Sequence, residues 1–210
     1  TRMRNVTILR KDDLANNVET GDQRFFVYFH APSDVRDTVF MVWKRQVSDD
    51  DRWLYLPALD LVRRIAAGDE RSSFVGSDFY YEDVSGRSAE EDPHLLQDTT
   101  DTYFVLKSAP KDPSQVEFAY FVSYIHKESY LPVQIEYYQS DGTKYREYTA
   151  EAVETIQGYP TVTRATMKDV LDGGQTTLTY SQIEYDIGLS EDIFTERYLR
   201  NPPRQYLGED

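Results

Sequence analysis

Apolar and polar residues alternate along most of this chain in short runs, each closed by turn-forming residues. A period of two over such runs is the mark of a half-buried strand. Residues 4–10, 24–30, 38–46 and 53–56 read as strands in the N-terminal part, with turns at Asp12-Asp13, Gly21-Asp22 and Asp49-Asp50-Asp51. The runs 24–30 (RFFVYFH) and 38–46 (TVFMVWKRQ) form an antiparallel hairpin over the loop APSDVRD. Further along, strands are expected over 102–108, 116–125, 131–139, 144–153, 160–168 and 176–185. Asp141-Gly142 is a hairpin turn of the kind that matches strand twist, and Asp172-Gly173-Gly174 is another turn. The tract 84–100 is the longest polar stretch and reads as a loop with a short turn of helix.

Only the end of the chain reads as a helix. Ser190 is its cap, Glu191 and Asp192 sit in its first turn, Ile193, Phe194, Arg197 and Tyr198 follow, and Pro202-Pro203 stops it. Nearly ten short, evenly spaced strands predict a mainly β chain, a single domain over residues 1–210 with a strongly curved antiparallel sheet and a few helices. No repeat of about 20 to 50 residues is present, which argues against a propeller or solenoid.

Several strands are apolar on both faces. Phe25, Val27 and Phe29 point one way, and Phe26 and Tyr28 the other. Two readings fit: a sheet covered on both faces, or one face on a core and the other lining a cavity. On the second, parity along each strand assigns the wall to Phe26, Tyr28, Phe40, Val42, Leu54 and Leu56, and further on to Tyr120, Val122, Tyr124, Val133, Ile135 and Tyr137. A single bulge would reverse that parity.

Charge narrows the partners. With 37 acidic against 23 basic residues the chain carries a net charge of −14, which repels nucleic-acid phosphates and anionic membrane surfaces. Seventeen tyrosines and ten phenylalanines favour sheets. The absence of cysteine removes disulfides, thiolate metal sites and a thiol nucleophile. No run approaches the ~18 apolar residues of a transmembrane segment.

Catalytic chemistry finds little support. His30, His94 and His126 lie far apart without metal-ligand spacing, and the clusters at 49–51, 82–83 and 90–92 lack the alternating oxygen ligands of a calcium loop. Ser77 lacks the flanking glycines of a nucleophile elbow, and Gly173-Gly174 is better explained as a turn than as a phosphate loop. No catalytic residue, metal or cofactor is expected. Arg63-Arg64 are the one arginine doublet; they either pair with Asp78 or Glu82, or face a ligand headgroup.

The stretch from Trp53 to Asp83 carries a resemblance. WLYLPAL followed by VRRI, then GSDF and YED, is similar to the outer membrane lipoprotein-sorting protein family, with its LolA-like fold. YLPVQIEYYQSDG from Tyr130, GGQTTLTYS from Gly173 and IFTERYLR from Ile193 agree with it, so that the resemblance covers about residues 24–204. It implies an incomplete antiparallel barrel of the LolA/LolB type, with helices against a concave face and an apolar cavity for acyl chains. It further implies a periplasmic, non-catalytic carrier of lipid or lipoprotein acyl chains, its signal peptide removed. An adaptor docked on an inner-membrane exporter of the RND/MMPL type is the alternative. Such folds usually open with a helix, whereas here Thr1 leads straight into a strand; the helix is expected to be missing or the cavity more open.

Overall fold

The structure, a computed structural model, describes residues 2–15, 18–66 and 69–208; Thr1, where the missing opening helix is expected, lies outside them. The chain is mainly β, with twelve antiparallel strands and a few short helices among the described residues. In place of one continuous sheet of about ten strands, the strands form a five-stranded and a seven-stranded sheet. Residues divide accordingly into two compact units, one of 1–70 with 188–210 and one of 71–187.

In the first unit, β1 (Asn5–Ala15), β2 (Val18–Ala31), β3 (Val39–Lys44), β4 (Asp51–Leu56) and β5 (Leu61–Ile65) follow one another in the sheet in chain order. β1 runs on past Asp12-Asp13 and β2 begins before Gly21-Asp22, so neither expected turn ends a strand; the ladder instead shifts register between Asp12 and Leu14. Leu9, Phe26, Met41 and Trp53 lie side by side on one face. The end of the chain covers them through Leu189, Ile193, Phe194, Leu199 and Leu207. Ser190 caps this segment as expected, its hydroxyl accepting from the Asp192 N–H. The expected single helix is two short pieces, a 3₁₀ turn over Glu191–Phe194 and α2 (Glu196–Arg200), divided at the extended Thr195. Trp43 Nε1 donates to the Phe194 carbonyl at 2.6 Å, tying the cover to the sheet. The opposite face, with Phe25, Val27, Phe40, Val42 and Leu54, is buried as well. The five-stranded sheet is therefore covered on both faces.

In the second unit, β6 (His94–Thr99), β7 (Tyr103–Ser108), β8 (Tyr120–His126), β9 (Pro132–Tyr138), β10 (Lys144–Ile156), β11 (Tyr159–Asp169) and β12 (Gln175–Thr179) form a continuous meander. Gln157 and Gly158, both at positive φ, make the two-residue turn between β10 and β11. β6 lies inside the tract expected to be a loop, and its six residues are all exposed. Ahead of it, α1 (Tyr81–Ser85) is a single turn held by a capping box, in which Asp83 accepts from the Tyr80 N–H at 2.6 Å.

Candidate functional site

Directly paired residues of an antiparallel sheet project to the same side, so the register of the seven-stranded sheet fixes the make-up of each face. Phe121 stands beside Tyr137, and Tyr137 beside Arg146; one step along, Ser123, Ile135, Tyr148 and Met167 form a row. Leu106 joins that row at Ser123, and Phe104 pairs with Ile125. Of these side chains only Arg146 is charged. Met167 and Ser123 are buried, whereas Phe104, Leu106, Phe121, Ile125, Ile135 and Tyr148 are half-buried. They form an apolar strip. Burial, with a smaller contribution from Tyr180, raises the Tyr148 phenol to about 12.

The other face is polar. Val122, Glu136, Glu147 and Lys168 form one row and Tyr124, Gln134, Thr149 and Thr166 the next. Lys144 donates to both Glu136 and Glu147.

A charged cluster closes the Arg146 end of the strip. Arg146 pairs with Asp83, donates to the Asp78 carbonyl at 2.8 Å, and lies 3.8 Å from the Tyr80 ring centroid. Arg71 holds Glu117 in a two-pronged fork, with both bonds at 2.6 Å, and also pairs with Glu82. Arg87 pairs with Glu82, Glu91 and Asp92 at 2.9, 2.7 and 2.8 Å. Planar guanidiniums suit this packing because they bind carboxylates in a fork and stack on rings. Arg71 lies 4.9 Å from the Phe118 centroid and 5.9 Å from that of Tyr137. Burial alone would raise the Glu117 carboxyl; the bonds from Arg71 and from the Tyr145 hydroxyl outweigh it and hold the group below its usual range. Burial, and then the charge of Asp83, push the Tyr137 phenol well up.

The side chains expected to form one wall divide between faces in each sheet. In the five-stranded sheet, Phe26 pairs with Met41 and Tyr28 with Val39, while Phe40 pairs with Val27 and Leu54, and Val42 with Phe25. Phe26 and Tyr28 thus lie in the core beneath the C-terminal helices, and Phe40, Val42, Leu54 and Leu56 on the other face. In the seven-stranded sheet, Tyr120, Val122 and Tyr124 lie on the polar face, and Ile135 and Tyr137 on the apolar one. The register slips between Tyr124 and Ile125, so that Ile125 meets Pro132 and Val133 is the extra residue of a bulge. Within each strand the alternation is as expected, and β3 meets β4 as assumed, with Phe40 beside Leu54; between β2 and β3 and between β8 and β9 the assumed register is off by one residue, which moves a whole strand's set to the opposite side.

The arginine doublet also finds other partners. Arg63 pairs with Asp69 at 3.4 Å and Arg64 with Asp51, while Glu82 is taken by Arg71 and Arg87. Asp78 accepts from the Thr176 hydroxyl at 2.6 Å. The reason is local: β5 lies beside β4, with Arg64 opposite Trp53, and Asp51 is two residues away on that neighbouring strand. Of the residues that build the cluster, Glu82 and Asp83 lie in the YED run, whereas Arg71, Arg87, Glu117 and Arg146 belong to no motif singled out in the sequence. The histidines His30, His94 and His126 are bonded to the hydroxyls of Thr7, Ser108 and Ser129 respectively. Among the described residues no group of three or more His, Cys, Asp or Glu is placed to hold a metal ion, and no helix is long and apolar enough to cross a membrane.

A protein-family model described as "uncharacterized protein" matches residues 21–201. No curated protein sequence matches the chain. Among solved structures, a DUF1329 family protein from Desulfovibrio piger is 28% identical with a TM-score of 0.82, covering 93% of this chain and 83% of its own. A domain from Vibrio parahaemolyticus named for outer membrane lipoprotein sorting is 29% identical with a TM-score of 0.78, covering 85% of this chain and 78% of its own. A LolA superfamily protein from Nitrosomonas europaea is 19% identical with a TM-score of 0.59, covering 93% of this chain and 90% of its own, a likeness of fold.

Proposed function

The chain belongs to the family of uncharacterized proteins matched over residues 21–201, its fold is LolA-like, and on that premise we propose that it is a non-catalytic carrier of lipid or lipoprotein acyl chains in the periplasm. The observation that carries this reading is the apolar strip from Leu106 through Ile135 to Tyr148. Its side chains are half-buried, neither packed like a core nor open like a surface. A saturated chain laid along such a strip gains about 0.8 kcal/mol for each CH₂ removed from water. Affinity can thus arise without a catalytic group or cofactor. The opposite face sets Glu136, Glu147 and Lys168 in line with Val122 and so offers no continuous apolar track, and acyl binding is assigned to the side of the strip. The name of the Vibrio relative favours sorting toward the outer membrane as the purpose of carriage.

The test is native mass spectrometry of the gently purified protein, followed by uptake of a fluorescent fatty acid. Co-purified lipid and saturable uptake are expected. Ile135→Glu, on the strip, is expected to abolish uptake, and Gln134→Glu, one residue away on the polar face, to leave it unchanged. No lipid and no uptake would instead favour the adaptor role beside an inner-membrane exporter.

A further inference from the structure

Resting on the carrier reading, we propose that Lys127 is the headgroup-selecting residue of the strip and that the lipid carried bears an anionic head, a carboxylate or a phosphate.

The two ends of the strip differ in the state of their cations. At one end Arg71, Arg87 and Arg146 are each committed to carboxylates, drawn from Glu82, Asp83, Glu91, Asp92 and Glu117. Three cations facing five anions leave no positive charge to offer an anionic ligand. At the other end Phe104 and Ile125 form the last apolar pair, and Lys127, in the turn just after β8, donates its backbone N–H to the Thr102 carbonyl and turns its side chain toward Phe104. Its ammonium lies 5.3 Å from the Phe104 ring centroid and donates to the Thr100 carbonyl. Among the described residues no carboxylate pairs with it. Lys11 and Lys107 are likewise half-buried without an ion pair among the described residues, but Lys11 belongs to the five-stranded sheet and Lys107 pairs with Val122 on the polar face, which leaves Lys127 as the lysine at the strip.

Its position suits a headgroup contact. The aliphatic stem continues the apolar surface, while the ammonium keeps donors to spare beyond the one used on Thr100. An acyl chain running from Phe104 toward Ile135 and Tyr148 would leave its polar end beside Lys127. The overall charge of −14 disfavours adsorption to an anionic membrane surface, but one lipid head meeting one lysine is a local contact. This choice separates anionic lipids from the uncharged acyl groups at the amino terminus of a triacylated lipoprotein.

Displacement of a fluorescent fatty acid by oleate and by methyl oleate, which share one chain, tests the idea in the 210-residue protein. Dioleoyl phosphatidylglycerol and dioleoyl phosphatidylcholine serve as the phosphate-bearing pair, and distinguish a phospholipid from a free fatty acid. Oleate is expected to bind about tenfold more tightly than its ester, the value of one charge-assisted hydrogen bond. Lys127→Gln is expected to remove that preference while leaving methyl oleate binding unchanged, and Lys127→Arg to keep it. Unchanged thermal melting of both variants excludes a folding defect. Equal binding of acid and ester by the native protein, or a preference that survives Lys127→Gln, overturns this inference alone. Binding of no lipid at all overturns the carrier reading with it.

Discussion

The Asp78 carboxylate occupies the space where a side chain on Gly174 would begin. A Cβ at that position would stand 2.7 Å from Asp78 Oδ1, with nothing else so near. Gly174 has no positive φ, so the glycine is required there by this contact and not by backbone geometry. Asp78 is further fixed by Thr176, whose hydroxyl donates to its Oδ2 and accepts from its N–H at 3.0 Å. The loop before α1 is thus pinned to the turn leading into β12. Gly174→Ala is expected to lower stability by about 1–3 kcal/mol, the usual cost of overpacking. Asp78→Ala in the same background should recover part of that loss by removing the clashing oxygen. Urea denaturation of the two single variants and the double variant measures the coupling.

Acid should loosen the charged cluster through Glu117. Its carboxyl is held below its usual range in the folded chain, by bonds from Arg71 and Tyr145 that outweigh the effect of burial. A depressed folded-state value stabilises the protein fully above the unfolded value of about 4.3. That contribution is lost as pH falls through the lower, folded value, because the unfolded chain then binds the extra proton. The carboxylate is 38% exposed, so solvent screens part of the effect. Stability measured between pH 6 and 3 is expected to fall less steeply in Glu117→Gln than in the native protein. Equal slopes would show that the fork does not couple to folding.

Val122 provides the control for the strip. It pairs with Lys107 on one side and Glu136 on the other, on the polar face. Val122→Thr keeps the shape and places a hydroxyl among charged neighbours. Uptake of the fluorescent fatty acid should be unchanged, with stability lowered by about 1–3 kcal/mol, the cost of placing a hydroxyl at a buried position. A loss of uptake at unchanged stability would move the binding surface to this face.

The sequence makes strands and turns legible where local chemistry decides them. Asp141-Gly142 marks the turn between β9 and β10, and the alternation in VEFAYFVSYI separates Phe121, Ser123 and Ile125 from Tyr120, Val122 and Tyr124. β6 is illegible because HLLQDT is a solvent-exposed edge strand inside a polar tract, with no apolar face to betray it. The faces fail for another reason. Strand parity is local, whereas which parity of β8 meets which parity of β9 depends on the connection between them and on the bulge at Val133. Phe26 beside Met41, and not beside Phe40, is the same problem across the hairpin of β2 and β3. The charged cluster is the least legible part. Arg71 and Glu117 are 46 residues apart, and Asp83 and Arg146 are 63 apart, in a chain so acidic that any arginine has many candidate partners.

Arg146 should be the most costly of the three cluster arginines to replace. It is 3% exposed, and its guanidinium serves two acceptors, the Asp83 carboxylate and the Asp78 carbonyl, while its central carbon lies over the Tyr80 ring. Asp83 in turn caps α1 through the Tyr80 N–H. Removing one partner of a buried pair leaves the other charge without compensation and costs about 3–5 kcal/mol. Arg146→Met is therefore expected to destabilise by that amount, since it strands Asp83. Arg146→Lys keeps the charge but supplies neither the planar fork nor the stacking on Tyr80, and an intermediate loss is expected. Asp83→Asn tests the other side of the pair: it retains an acceptor for the Tyr80 N–H, so the cap survives while the ion pair does not. The double variant Arg146→Met with Asp83→Asn should be more stable than the sum of the two single losses, because neither charge is left alone. Urea unfolding of the four proteins gives the coupling energy. Strict additivity would mean that the pair is fixed by its surroundings and contributes nothing of its own.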